Sequence, residues 1–239
     1  MDAQPDPSAP TQPVVAEVRQ RWRAVIARGD DAVPAVHRAV VEQIEDGLLR
    51  SGLPLVVDAR RGGRPRLAFA APMPLGMVTD REPIDLWLVE RRTTEVVSSA
   101  LRAALPQGYR LTDLHDVWLG APALAACVRG AEYLVILDPS GGSKAEFEAA
   151  IDALLSAASL PRDRVKGGGV VSYDLRPLVD DIALTTTEGA VTLGISVRFD
   201  QNRGSGRPEE VVAALSEAIG RPITIASTRR ERVLLAEDA

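Results

Sequence analysis

The chain has 239 residues, 46% of them hydrophobic, with 28 Lys and Arg against 33 Asp and Glu and a formal net charge of −5. That length fits one large domain or two of about 100–120 residues, and the negative balance argues against generic binding to a nucleic-acid backbone. No apolar run approaches the ~18 residues of a membrane-spanning helix, and one cysteine, Cys127, with two histidines, His37 and His115, makes no intrachain disulfide, typical zinc site or iron–sulfur cluster.

Residues 1–15 begin Met-Asp-Ala-Gln-Pro-Asp-Pro, without the basic and apolar regions of a secretory signal, and their Pro, Ala, Ser and Asp content predicts a disordered tail. Val18 to Ala27 reads as a strand with one wet face. Val33, Val36, Val40, Ile44 and Leu48 then recur at helical spacing and predict a buried face, stopped by Ser51-Gly52 and Pro54. Short strands follow at Leu55 to Asp58, Leu67 to Ala71 and Ile84 to Val89. A second amphipathic helix carries Val97, Leu101, Ala104 and Leu105, and Tyr109 to Trp118 closes the unit as a strand.

After an Ala-rich linker, residues 121–130, the pattern returns. Glu132 to Leu137 reads as a strand. Ser143-Lys-Ala-Glu146 is a capping box, opening a helix with Phe147, Ile151, Leu154 and Leu155 on its apolar stripe. Val170 to Leu175 is a strand, Ile182 to Thr187 and Val191 to Phe199 form a hairpin around Glu188-Gly189, and Pro208 starts a helix that Gly220 ends. Ile223 to Leu235 is the last strand. The repeated order predicts an α+β fold of two tandem ferredoxin-like repeats, residues 16–120 and 131–236, each a βαββαβ unit with an added strand and an antiparallel sheet.

Four arginines, Arg60, Arg61, Arg64 and Arg66, crowd a Gly-Gly turn, and Pro72, Pro74 and Gly76 shape the exit of the strand that follows. Guanidinium forks bind phosphate and carboxylate bidentately, so this turn is the leading candidate for an anion or partner contact. Arg203-Gly-Ser-Gly-Arg207 enters a helix N-terminus and adds Arg203 and Arg207 as candidates, although Glu209 and Glu210 already complement that helix dipole. Asp174 and Arg176 share a strand face at period two and form a polar constellation, with an ion pair as the simplest expectation. His115-Asp116 resembles a base and its orienter, but adjacent strand residues face opposite ways. Cys127, among alanines, reads as a small buried hydrophobe in a reducing, cytoplasmic chain. No catalytic constellation, metal site or cofactor motif is complete.

Several segments occur in order: Gly52-Leu-Pro54, Arg64-Pro-Arg-Leu-Ala-Phe69, Pro74-Leu-Gly76, Leu105-Pro-Gln-Gly108, Ala131-Glu-Tyr133, Asp174-Leu-Arg-Pro-Leu178 and Arg207-Pro-Glu-Glu-Val211. Together they resemble the radical SAM-linked protein family of unknown function, whose members are encoded beside, or fused to, cobalamin-type radical SAM proteins. Ala32-Val-Pro-Ala-Val-His37 and Arg60-Arg-Gly-Gly-Arg64 replace family segments that carry a Ser-His pair and an Asn- and His-containing turn. The resemblance implies a non-catalytic accessory or substrate-presenting module with a radical SAM partner, since the three cluster-holding cysteines are absent. The alternative is an RNA- or nucleotide-binding protein that uses its sheet faces and the Arg60–Arg66 turn.

Overall fold

A computed structural model describes residues 17–138, 143–166, 168–187, 190–200 and 202–236. The expected tail at residues 1–15 and the Glu188-Gly189 turn lie outside them. The first half runs β1 (Gln20–Arg28), α1 (His37–Arg50), β2 (Val57–Asp58), β3 (Arg64–Pro65), β4 (Leu67–Phe69), β5 (Val78–Leu88), α2 (Thr94–Ala104) and β6 (Tyr109–Val117). A short helix, α3 (Leu124–Cys127), leads into the second half. There β7 (Val128–Leu137), α4 (Lys144–Ser156), β8 (Pro161–Lys166), β9 (Gly169–Asp174), β10 (Val179–Thr187), β11 (Ala190–Asp200), β12 (Gly204–Ser205), α5 (Pro208–Ile219) and β13 (Ile225–Leu235) follow.

The long strands form one sheet in the order β10-β11-β7-β13-β5-β1-β6, with β4 on β5 and β12 on β11. Its pairs are antiparallel except one: β13 runs parallel to β5, with Arg229 opposite Val78 and Arg230 opposite Thr79. The sheet is therefore mixed, which corrects the expectation of antiparallel sheets. The reason lies in strand lengths. β5 starts at Val78, ahead of the alternation visible from Ile84, while the three-residue β4 pairs only with Ile84, Asp85 and Leu86. The remaining edge of β5 is left for β13 to occupy.

Helices α1 and α2 cover Trp22, Ala24, Ile26, Ile84, Leu86 and Leu88 on the first half of the sheet, and α4 and α5 cover Ala131, Tyr133, Val135, Leu193, Ile195 and Val197 on the second. Each fully buried aliphatic contributes about 1.5–3 kcal/mol. The expected capping box forms at Ser143 and Glu146. Gly47 lets α1 approach α2 closely, because a Cβ there would overlap the backbone of Ala104.

Two expectations for the first half fail. Val33 and Val36 precede α1 and are exposed, so only Val40, Ile44 and Leu48 of the predicted stripe reach the core. The second face of β1 is dry rather than wet. Arg21 and Arg23 surround the fully buried Asp85, and Arg21 donates to the carbonyls of Ala121 and Pro122 at 2.8 Å. The linker thus lies across that face, and its Leu124 packs with Ala70, Ala71, Val233 and Leu235. Cys127 is half-buried against the same cluster.

Candidate functional site

The Arg-rich turn is built locally. Asp58 accepts a hydrogen bond from the Arg60 amide at 2.9 Å, opening a single 3-10 turn, and Gly62 and Gly63 reverse the chain at φ of +66° and +77°, where side chains are strained. Its guanidiniums are mostly committed. Arg61 donates to the buried Glu45 at 2.8 Å, Arg64 pairs with Asp46 and lies 3.8 Å from Glu45, and Arg66 stacks 4.3 Å over the Trp87 ring. Arg21 approaches the same ring at 5.3 Å. The turn therefore fastens itself to α1 and β5, and Arg60 is the guanidinium it turns out to solvent, with no partner among the described residues.

The exit of this stretch, Pro72-Met-Pro74, sits at the seam between the halves. Its two prolines donate nothing, so carbonyls and one amide remain to be satisfied. Arg230 of β13 donates to the Pro72 carbonyl through both terminal nitrogens at 3.2 Å. Arg28 of β1 donates to the Pro74 carbonyl at 3.1 Å and to that of Val33 at 3.4 Å. The Met73 amide donates to Nδ1 of His37, at the start of α1, at 3.2 Å. Three side chains from three elements thus pin the loop.

Arg230 also forks onto Glu82 of β5 at 2.6 and 2.7 Å, both side chains being 2% exposed, and hydrogen-bonds the Tyr133 side chain. Burial works against the charge on Arg230, but Glu82 overrides it and holds the guanidinium more basic than usual. Burial pushes the Glu82 carboxyl up, opposed by Arg230, and also raises Tyr133. Burial, then the charge of Arg230, lowers the pKa of His37. A neutral His37 accepting at Nδ1 carries its proton on Nε2; its ring stands edge-on to Phe69. A pocket of about 510 Å³ opens beside this clamp, lined from both halves by Met73, Met77, Tyr133, Phe199, Arg207 and Arg230. Val33, Val36 and Leu75 stand exposed around the loop.

A second, more polar cleft of about 910 Å³ lies wholly in the second half and gathers Asp174, Arg176 and Arg203 with Arg164, Tyr173 and Asn202. The expected Asp174–Arg176 ion pair is not formed. Asp174 accepts from the Leu160 and Arg176 amides at 2.7 and 3.0 Å, and the Leu160 bond is the chief reason its pKa is lowered. Arg176 leaves the strand in a 3-10 turn and donates to the carbonyls of Leu155 and Val179. Arg203 and Arg207, a few residues apart in sequence, line different cavities. Nor do His115 and Asp116 join: His115 Nδ1 is 3.7 Å from Asp113, and Asp116 accepts from Gln20.

Sequence reasoning missed the clamp residues Arg28, Glu82 and Arg230, and the cleft residues Arg164 and Tyr173. The charges inside apolar strands were a usable signal for the first three, since a charged residue on a buried face needs a partner. Among the described residues no group of three or more His, Cys, Asp or Glu can hold a metal ion, and no helix is long and apolar enough to cross a membrane.

Residues 21–220 match the family described as "Uncharacterized protein conserved in bacteria (DUF2344)", and the chain belongs to that family. No curated protein matches. Among solved structures, the fold is similar to a chain of the crystal structure of a Cbf5–Nop10–Gar1 complex, at 11% identity and a TM-score of 0.50, over 87% of this chain and 48% of that one. It is also similar to a chain of the archaeal box H/ACA sRNP Nop10–Cbf5 complex, at 12% identity and a TM-score of 0.45, over 86% and 46%. The chain spans about half the length of these two. At such identities the likeness is one of fold.

Proposed function

We propose that this chain is a non-catalytic accessory or substrate-presenting module of a radical SAM system, and that it meets its partner at the seam around Pro72–Met77. The observation that carries the reading is the three-sided clamp on Pro72-Met-Pro74. It ties down Pro72, Met73 and Pro74 and leaves Leu75 in solvent beside Val33 and Val36. A preordered apolar edge binds without paying the entropy of ordering a loop. The buried titratable groups at the seam are occupied by backbone and side-chain partners, which suits holding rather than proton transfer. The radical SAM partner itself rests on the ordered motifs, three of which, Pro74-Leu-Gly76, Ala131-Glu-Tyr133 and Arg207-Pro-Glu-Glu-Val211, contribute residues to the seam.

The two halves are, in this reading, ferredoxin-like repeats of residues 16–120 and 131–236 that share one sheet. The strand orders β6-β1-β5-β4 and β13-β7-β11-β10 support it, because each is the 4-1-3-2 arrangement of a βαββαβ unit. A cytoplasmic setting is consistent with the single cysteine.

Capture of a radical SAM protein by the full chain from a lysate of its own cells tests the proposal, with Leu75→Asp as the perturbation. Capture by the native chain and its loss in the variant is the expected result. Capture of RNA instead, released by salt and weakened by Arg60→Ala, would favour the alternative RNA- or nucleotide-binding reading.

A further inference from the structure

We propose that the polar cleft of the second half is a binding site for a small phosphorylated molecule, gripped by Arg164 and Arg203 on either side of Gly204. Both guanidiniums line the cleft, and neither pairs with a carboxylate among the described residues. Several other arginines of the second half are paired: Arg198 with Asp180, Arg221 with Glu146, Arg232 with Glu132 and Arg162 with Glu217. Arg164 and Arg203 face one cavity.

Asp174 and Asp200 lie close enough to feel the charge of Arg203, but neither forms an ion pair with it. Asp174 spends its carboxylate on the Leu160 and Arg176 amides, and Asp200 spends its own on the amides of Asn202 and Arg203, which fixes the backbone that carries Arg203. Asp163 of the same hairpin accepts from Ser172. Arg164 is held on the other wall, its guanidinium 5.4 Å over the Tyr173 ring. Gly204, at φ of +98°, brings bare backbone against this group: a Cβ there would lie 3.5 Å from Nη2 of Arg164.

Two planar forks facing one space favour phosphate over carboxylate. A carboxylate is saturated by one fork, whereas a phosphomonoester presents three oxygens to share between two. The cavity, about 910 Å³, is large enough to seat a phosphate with an organic body, and Asn202 adds a polar wall.

Calorimetric titration of the full chain with inorganic phosphate and with adenosine 5′-monophosphate, at low salt, tests this. Both probes should bind saturably, with dissociation constants of about 1 mM or below, and adenosine without phosphate should not. Arg164→Ala and Arg203→Ala should each weaken binding about tenfold, as expected for losing one charge-assisted fork. Arg164→Lys and Arg203→Lys, which keep the charge and not the fork, should fall between wild type and alanine and guard against misfolding. Arg60→Ala should change nothing. The proposal is overturned if neither probe saturates by ~10 mM, if adenosine binds as well as its monophosphate, or if Arg60→Ala weakens binding as much as the cleft variants do. Unchanged affinity in Arg164→Ala and Arg203→Ala would overturn it equally.

Discussion

Replacing Arg230 by Met removes the group on which the seam converges. The guanidinium is buried, forked onto Glu82 and bonded to the Pro72 carbonyl, so the change leaves a buried carboxylate without its counter-ion and a carbonyl without a donor. Stranding one partner of a buried pair costs about 3–5 kcal/mol, whereas the carbonyl of the exposed Pro72 can turn to water. Glu82 can relieve part of this by protonating, and the expected loss is about 3–5 kcal/mol against a total stability of roughly 5–15 kcal/mol. Glu82→Gln in the same chain removes the stranded charge and should restore about 2 kcal/mol, a coupling that a double-mutant cycle reads directly. Urea unfolding followed by far-UV circular dichroism, with tryptophan fluorescence as a second probe, supplies the free energies. An Arg230→Met cost below ~1 kcal/mol, or a double variant whose loss equals the sum of the singles, would refute the clamp.

Protonation of His37 removes the acceptor for the Met73 amide. Its folded pKa is depressed, so the stability it contributes is present above about 6.5, the ordinary histidine value, and is lost as pH falls through the folded one. The melting temperature of the wild type should drop as pH falls below about 6.5, and His37→Gln should flatten that segment of the profile. Glu146, held down to about 2 by the Ser143 amide and hydroxyl and by Arg221, should titrate near that value by carbon-detected NMR; Ser143→Ala should move it toward the normal carboxylate range, and no movement would mean the capping box is unformed in solution. Gly47→Ala, which drives a methyl group into the Ala104 backbone, should destabilise by about 1–3 kcal/mol, although alanine is the better helix former; a stabilised variant would show that α1 and α2 do not approach as described.

Most of the elements were legible because period carries so much information. The stripe of Val97 and Leu101, the alternation from Ile84 and the Ser143 capping box each specify an element locally. What escaped was set by pairing at a distance. Arg21 and Arg23 in β1 look like a solvated face until Asp85 and the linker carbonyls of Ala121 and Pro122 are brought against them. The parallel join of β13 to β5 depends on β4 being short, which nothing in the order of elements discloses. The hairpin strand β8 was missed because Pro161 and alternating charges mask a two-stranded ribbon outside the main sheet.

The site shows the same division. Four arginines around two glycines correctly marked an unusual turn, but sequence cannot show that Glu45 and Asp46, on the preceding helix, face two of them. The Pro-Met-Pro exit reads in sequence as a rigid, shaped connection, but the groups that hold it, Arg28, His37 and Arg230, arrive from both halves and are set only by the fold. Arg203 was visible as a loop cation; its companion Arg164 was not, because only the fold places Gly204 beside it.

The most direct test of the central claim is the affinity of the purified chain for the radical SAM protein proposed as its partner, measured by titration with wild type and Leu75→Asp side by side. Saturable binding that the variant loses, with its melting temperature unchanged, is the predicted result. Equal binding by both proteins would place the contact elsewhere, and no binding by either would contradict the accessory role itself.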